Sequence, residues 1–260
     1  MKSRYILITV DTEALRHRAV TGHVKRLIWG EHDNGTAGIR EMCSVMDDVH
    51  AKMVFFVDVC GTYFHKDKMV EAIKWLDAAG QDVQLHTHSE KLPPKFWSEH
   101  KVPYQPRMLD QCNRSKAAFV ISHFSKMLRD ITGKPVLAYR AGAFRSISST
   151  IEPLKASGIS VSFNNCMGAQ AIGQCPFSEP ANGPFLWSNG IIEVPMTEKY
   201  FSPFFVKPWW GKMQLPVSGT NSNPVWKVLS PLPFPQTPPV MAMILPSRSL
   251  PTLVVNGHAC

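Results

Sequence analysis

The stretch "DVQLHTHSE", residues 82–90, decides how this chain is read. A short alternating segment, "DVQL", runs straight into two imidazoles, His86 and His88, with the carboxylate of Glu90 two residues on. Alternation at period two predicts a strand. Residues two apart in extended chain point to the same side, so the two rings can address one point. The same arrangement stands near the start. "YILITVDTEA", residues 5–14, is an apolar run that ends in Asp11 and Glu13, again two apart.

Working outward, strands and helices alternate. Apolar runs at 5–10, 53–59, 82–86, 136–140 and 159–163 predict strands. Helical spacing predicts helices at 38–51, 67–80, 109–133 and 147–158. Gly80 and the pair Gly133 and Pro135 serve as stop signals. Four prolines, at 93, 94, 103 and 106, predict a loop after the third strand. This rhythm argues an α/β fold with a parallel sheet and crossover helices. Past residue 163 the rhythm weakens. Residues 190–195 and 240–245 predict two more strands, and the sequence between them is rich in Pro and Trp. With no repeat and no low-complexity linker, the expectation is one domain over residues 1–260 with a loop-rich last third.

Composition narrows the function classes. The chain has 260 residues, 44% hydrophobic and 18% charged, as in an ordinary globular protein. No apolar run reaches the roughly 20 residues of a membrane helix. "YILITV" is too short for a signal peptide and runs into carboxylates, so a cytoplasmic location is expected. Six cysteines lack CxxC spacing and are expected to be thiols; Cys166 and Cys175 could close a loop only in an oxidising compartment. The net charge of +8 is spread along the chain without a basic block. That pattern favours an anionic or nucleotide-linked sugar as partner over nucleic acid. Neither GxGxxG nor a Walker A sequence follows the first strand.

In parallel α/β sheets, ligand groups gather at the carboxyl ends of strands. Asp11 and Glu13, His86 and His88, and Arg140 in "LAYRAGAFR" all fall at such ends. Imidazole plus carboxylate is the ligand set of a catalytic divalent metal, zinc most readily, with nickel, cobalt or iron also suited. "PFFVKPWWGK", residues 203–212, holds Trp209 and Trp210, which can stack on a pyranose ring or fill a core beneath loops.

In order along the chain, "ILITVDTEA", "VFFVDV", "DVQLHTHSE", "YRAGAFR" and "IIEVPMT" resemble the motifs of the polysaccharide deacetylase, or NodB-homology, family. The likeness looks closest to the branch tied to bacterial surface-polysaccharide (O-antigen) loci. It implies a distorted (β/α)7 barrel and metal-dependent hydrolysis of an N-acetyl group on an amino sugar. It implies that Asp11 is the catalytic base, Glu13 a metal carboxylate, His86 the first metal histidine, and Arg140 the partner of the base. The family's second metal histidine falls at Glu90 here, so either His88 or Glu90 supplies that ligand. The family's last motif places a proton-donating histidine after the final strand, where this chain reads "MAMILPSRSL" with Pro246. The expectation is then a slow enzyme or a silent carbohydrate-binding relative. The tail "LVVNGHAC" carries His258, but its spacing does not tie it to the site.

Overall fold

The structure is a computed structural model, and it describes residues 5–104, 107–166, 183–196 and 252–258. Ten strands form: β1 (Tyr5–Thr12), β2 (Glu31–His32), β3 (Gly35–Thr36), β4 (Val54–Asp58), β5 (Asp82–Thr87), β6 (Ala138–Ala141), β7 (Val161–Ser162), β8 (Phe185–Leu186), β9 (Ile192–Glu193) and β10 (Thr252–His258). Six α-helices join them: α1 (His23–Leu27), α2 (Ile39–Asp48), α3 (Thr62–Ala78), α4 (Pro94–Glu99), α5 (Arg114–Thr132) and α6 (Ile151–Ala156). The main sheet has eight strands in the order β10-β1-β4-β5-β6-β7-β9-β8, and β2 and β3 make a separate hairpin.

Every pairing from β10 across to β9 is parallel; β8 alone runs antiparallel. Sheet order follows chain order, except that β10 returns to lie beside β1 and β9 inserts between β7 and β8. Seven strands, β10 through β9, thus run parallel in one sheet. Among the described residues β9 and β10 do not pair, so the (β/α)7 expectation is met as a curled, parallel-rich sheet without shown closure.

The helices form where apolar side chains recur at helical spacing. On α3, Met69, Ala72, Ile73 and Leu76 are buried; on α5, Ala117, Val120, Ile121, Phe124 and Leu128 are. Each large side chain among these contributes about 1.5–3 kcal/mol by leaving water. Asn113 caps α5, its Oδ1 accepting from the backbone N–H of Lys116 at 2.9 Å, and Gly133 ends the helix in the left-handed region. The expected helix from residue 109 therefore starts later, because Asn113 offers a cap and residues 109–111 form a separate 3-10 turn. In α3 the helix begins ahead of the expected residue 67, with a break at Lys66. The proline loop carries α4, which starts on Pro94, a position where the missing N–H costs nothing.

β10 lies outside every expected strand. Its sequence "TLVVNGH" contains Asn-Gly, a turn signal, and an apolar run of only three residues. Pairing along β1 overrides that local preference. The expected strand at 240–245, Pro246, Trp209, Trp210 and Cys175 lie outside the described residues. The four described cysteines, Cys43, Cys60, Cys112 and Cys166, are buried, and Cys43, Cys60 and Cys112 are unbridged. Among the described residues no helix is long and apolar enough to cross a membrane.

Candidate metal centre

The parallel register fixes which side chains share a level at the carboxyl rim. Asp58 pairs with His86 and His86 with Arg140 across β4, β5 and β6. Asp11 pairs with Phe56 on one side and His258 on the other. β1 runs through Asp11, and Glu13 follows two residues on at the rim. His88 is also just past its strand, at the mouth of the 3-10 turn 89–91.

Glu13, His86 and His88 converge. Oε1 of Glu13 lies 2.9 Å from Nε2 of His86 and 2.8 Å from Nε2 of His88. All three residues are buried, with relative exposures of 2%, 1% and 5%. The ligand atoms lie within 4.8 Å of one another, and the trio is the one such cluster among the described residues. Both imidazoles are oriented from behind. Nδ1 of His86 donates to the carbonyl oxygen of Arg140 at 2.9 Å, and Nδ1 of His88 donates to Glu90 at 2.7 Å. Glu90 touches the ring nitrogen of His88 that is turned away from Glu13.

This donor set fits a divalent cation. A carbonyl oxygen only accepts, so the proton of a neutral His86 sits on Nδ1. Its Nε2 then aims a bare lone pair at a carboxylate oxygen, and a neutral His88 does the same. The arrangement is satisfied by protons on both rings or by a cation among the three groups. Other polar atoms nearby await a partner too. Thr12 Oγ1 and Glu13 Oε2 are buried without a hydrogen bond among the described residues, although Arg18 Nη1 approaches Oε2 to 2.8 Å. The charges agree. Burial opposes the charge on Glu13, but the imidazoles of His88 and His86 outweigh it and hold its carboxyl well below the usual range. Burial likewise opposes a charged His88, but Glu13, Glu90 and Asp58 hold its pKa well above the usual imidazole value.

Two further features hold this centre. Asp58, 2% exposed, accepts from the backbone N–H groups of Cys60 at 3.2 Å and His88 at 3.1 Å through Oδ1, fixing the start of the 89–91 turn. Burial raises its pKa. Gly142 meets the opposite face of His88. A Cβ there would stand 2.5 Å from Nδ1, 2.6 Å from Cε1 and 2.9 Å from Cγ.

Arg140 is fully buried and organises the neighbouring strand ends. Its Nη1 donates to Asp11 Oδ1 at 2.6 Å and its Nη2 to Thr9 Oγ1 at 2.9 Å. Its Nε reaches the Phe163 carbonyl at 3.3 Å, and the Phe56 ring lies 4.3 Å from the guanidinium carbon. Asp11 therefore joins Arg140 rather than the Glu13 cluster, although both carboxylates leave the same strand.

A crystal structure of a candidate polysaccharide deacetylase from Mycobacterium smegmatis superimposes with a TM-score of 0.53 at 15% identity, over 78% of this chain and 65% of that one. The fold is that of the polysaccharide deacetylases. This chain spans under two thirds of that relative's length. A CE4 family pseudoenzyme from Bacillus anthracis gives a TM-score of 0.42 at 9% identity, over 65% of this chain and 47% of that one. Puue allantoinase gives 0.45 at 10% identity, over 75% and 62%. Both scores are too low to argue from. No protein-family model and no curated protein matches the chain.

Sequence reasoning named Asp11, Glu13, His86, His88 and Arg140; the structure brings Glu13, His86 and His88 together and pairs Asp11 with Arg140. Sequence reasoning missed Asp58, Gly142 and the place of Glu90. The "FFVDV" strand carried a signal for the first, since Asp58 ends an apolar run just as Asp11 does. Arg18, past the rim, was also missed; its Nη1 lies 2.8 Å from Glu13 Oε2.

Proposed function

We propose that this chain is a metal-dependent hydrolase that removes an N-acetyl group from an amino sugar of a polysaccharide or its precursor. The observation that carries the reading is the convergence of Glu13, His86 and His88 beside the buried Asp11–Arg140 pair. A divalent ion held by Glu13, His86 and His88, zinc by preference and nickel, cobalt or iron as alternatives, would supply a Lewis acid and an acidified water.

The chain's own residues do the rest. Asp11 takes a proton from the attacking water, and Arg140 keeps that carboxylate ionised and oriented. The water oxygen bonds to the acetyl carbon, the carbon–nitrogen bond breaks, and acetate leaves. The departing amine needs a proton. Pro246 cannot give one, but β10 puts His258 in register with Asp11, and we assign His258 as the donor. This favours an active enzyme over the silent carbohydrate-binding alternative. Trp209 and Trp210 as sugar platforms, a single domain over 1–260, a cytoplasmic setting and a place in surface-polysaccharide assembly complete the proposal.

The test is acetate release from N-acetylated sugars by the zinc-loaded protein, with metal content measured alongside. His86→Ala loses both. His258→Ala keeps the metal and loses about 10²–10⁴-fold in rate, the usual worth of a general acid. Metal binding without acetate release from any substrate refutes the hydrolase reading. Full activity in His258→Ala refutes the assignment of the proton donor.

A further inference from the structure

The two chain segments that deliver the metal-centre ligands turn back in the same way. After Glu13, the backbone N–H of Arg18 donates to the carbonyl of Leu15 at 3.0 Å. After His88, the N–H of Lys91 donates to the carbonyl of His88 at 3.0 Å. Each turn ends on a basic residue, Arg18 in the first and Lys91 in the second. Arg18 reaches inward: its Nη1 lies 2.8 Å from Glu13 Oε2, while 30% of its side chain stays exposed. That contact lacks hydrogen-bond alignment, since Oε2 is without such a bond. Burial lowers the pKa of His17, and the charges of Lys91 and Arg18 lower it further. The neighbouring Arg16 is set apart, its guanidinium 5.6 Å from the Phe64 ring.

The carboxylates at this mouth are already engaged. Glu90 is held by His88, and Glu13 by both imidazoles. A dication on Glu13 would also share that carboxylate with Arg18, leaving positive charge in excess at the entrance. A guanidinium presents paired donors that match a carboxylate or phosphate. A cleft lined by one sign of charge concentrates ligands of the other.

We propose that Arg18 and Lys91 form an anion subsite beside the metal centre, so that the substrate is an N-acetylated sugar carrying a carboxylate or a phosphate. The inference rests on the sugar-hydrolase reading and names its substrate class.

The experiment is calorimetry on the metal-loaded full chain with three probes: N-acetylglucosamine, N-acetylglucosamine 1-phosphate, and an N-acetylated amino sugar bearing a ring carboxylate. Acetate release is read from each. At least one anionic probe binds about tenfold or more tighter than the neutral one, as charge-assisted pairing predicts. Which of the two gains more tells phosphate from carboxylate. The preference shrinks in Lys91→Gln, vanishes in Arg18→Gln/Lys91→Gln, and weakens with added salt. Equal binding of neutral and anionic probes overturns the subsite. So does a preference that survives the double variant, or Arg18→Gln losing metal while Lys91→Gln keeps the full preference, since Arg18 then only orients Glu13. The two readings fail separately. Anion binding through Arg18 without acetate from any probe sinks the hydrolase and leaves the subsite. Equal turnover of neutral and anionic sugars, with equal binding, sinks the subsite and leaves the hydrolase.

Discussion

Replacing Gly142 with alanine adds one methyl group against the flat face of His88. The new carbon would stand 2.5 Å from Nδ1, where ordinary contact begins at 3.4 Å, so the ring or the backbone must yield by about 0.9 Å. The backbone is poorly placed to yield, because Ala143 and Phe144 are both held in the left-handed region, at φ 53° and 55°. Gly142 itself is outside that region, so alanine adds no backbone strain of its own. The ring therefore moves, and metal sites tolerate only about 0.2 Å of error in ligand distance. The expected loss in zinc affinity is at the upper end of the roughly 10–100-fold seen when ligand orientation is disturbed. The cost to the metal-free fold is about 1–3 kcal/mol of overpacking. Affinity is measured by competition with a chromophoric chelator, and stability by denaturant unfolding in chelator. A Gly142→Ala protein that folds as before and binds zinc as tightly refutes the placement of His88 as a ligand.

Three other outcomes follow from the same geometry. Glu90→Gln leaves an acceptor for His88 Nδ1 but removes its charge, and zinc affinity falls by about 10-fold or more, with the metal still bound. If the metal is lost outright while His88→Ala retains it, Glu90 is the ligand. Arg140→Ala strands the buried Asp11 charge and costs about 3–5 kcal/mol in denaturant unfolding; a cost below 1 kcal/mol contradicts the buried pair. The pH dependence has a definite sign. His88 has a raised pKa, so without metal its contribution to stability is full below the ordinary imidazole value and is lost as pH rises through the raised one. Glu13 has a depressed pKa, so its contribution is full above the ordinary carboxylate value and is lost as pH falls through the depressed one. A dication must displace the His88 proton, so zinc uptake releases protons at neutral pH, and apparent affinity falls as pH drops. Calorimetry in two buffers of different ionisation enthalpy measures that release; none at neutral pH contradicts a charged His88.

The parts of the fold that could be read from sequence are those where local pattern and final burial agree. "VFFVDV" is a strand covered on both faces, "YILITV" is covered only toward Thr9 and Val10 while Ile6 stays exposed, and the polar residues that end them face the rim. His86 and His88 were legible as a pair because two-residue spacing needs no knowledge of the rest of the chain. Which ring nitrogen faces inward was not legible, since it depends on the Arg140 carbonyl from another strand and on Glu90. Gly142 was hidden for the same reason: its meaning lies in a ring 54 residues earlier in the chain. β10 was missed because Asn256-Gly257 reads as a turn until β1 is there to pair with it.

That pairing bears on how the protein is made. Tyr5 meets Thr252, so β1 finds this neighbour only after the long stretch between them has been synthesised. Until then, one edge of β1 offers its backbone groups to any passing strand, the usual starting point of misassociation. Contacts so distant in sequence form slowly. If His258 is the proton donor, the nascent chain can hold its metal before it can turn over substrate. Chaperone demand and poor yields of shortened chains should then trace to this late pairing of β10 with β1 rather than to the core.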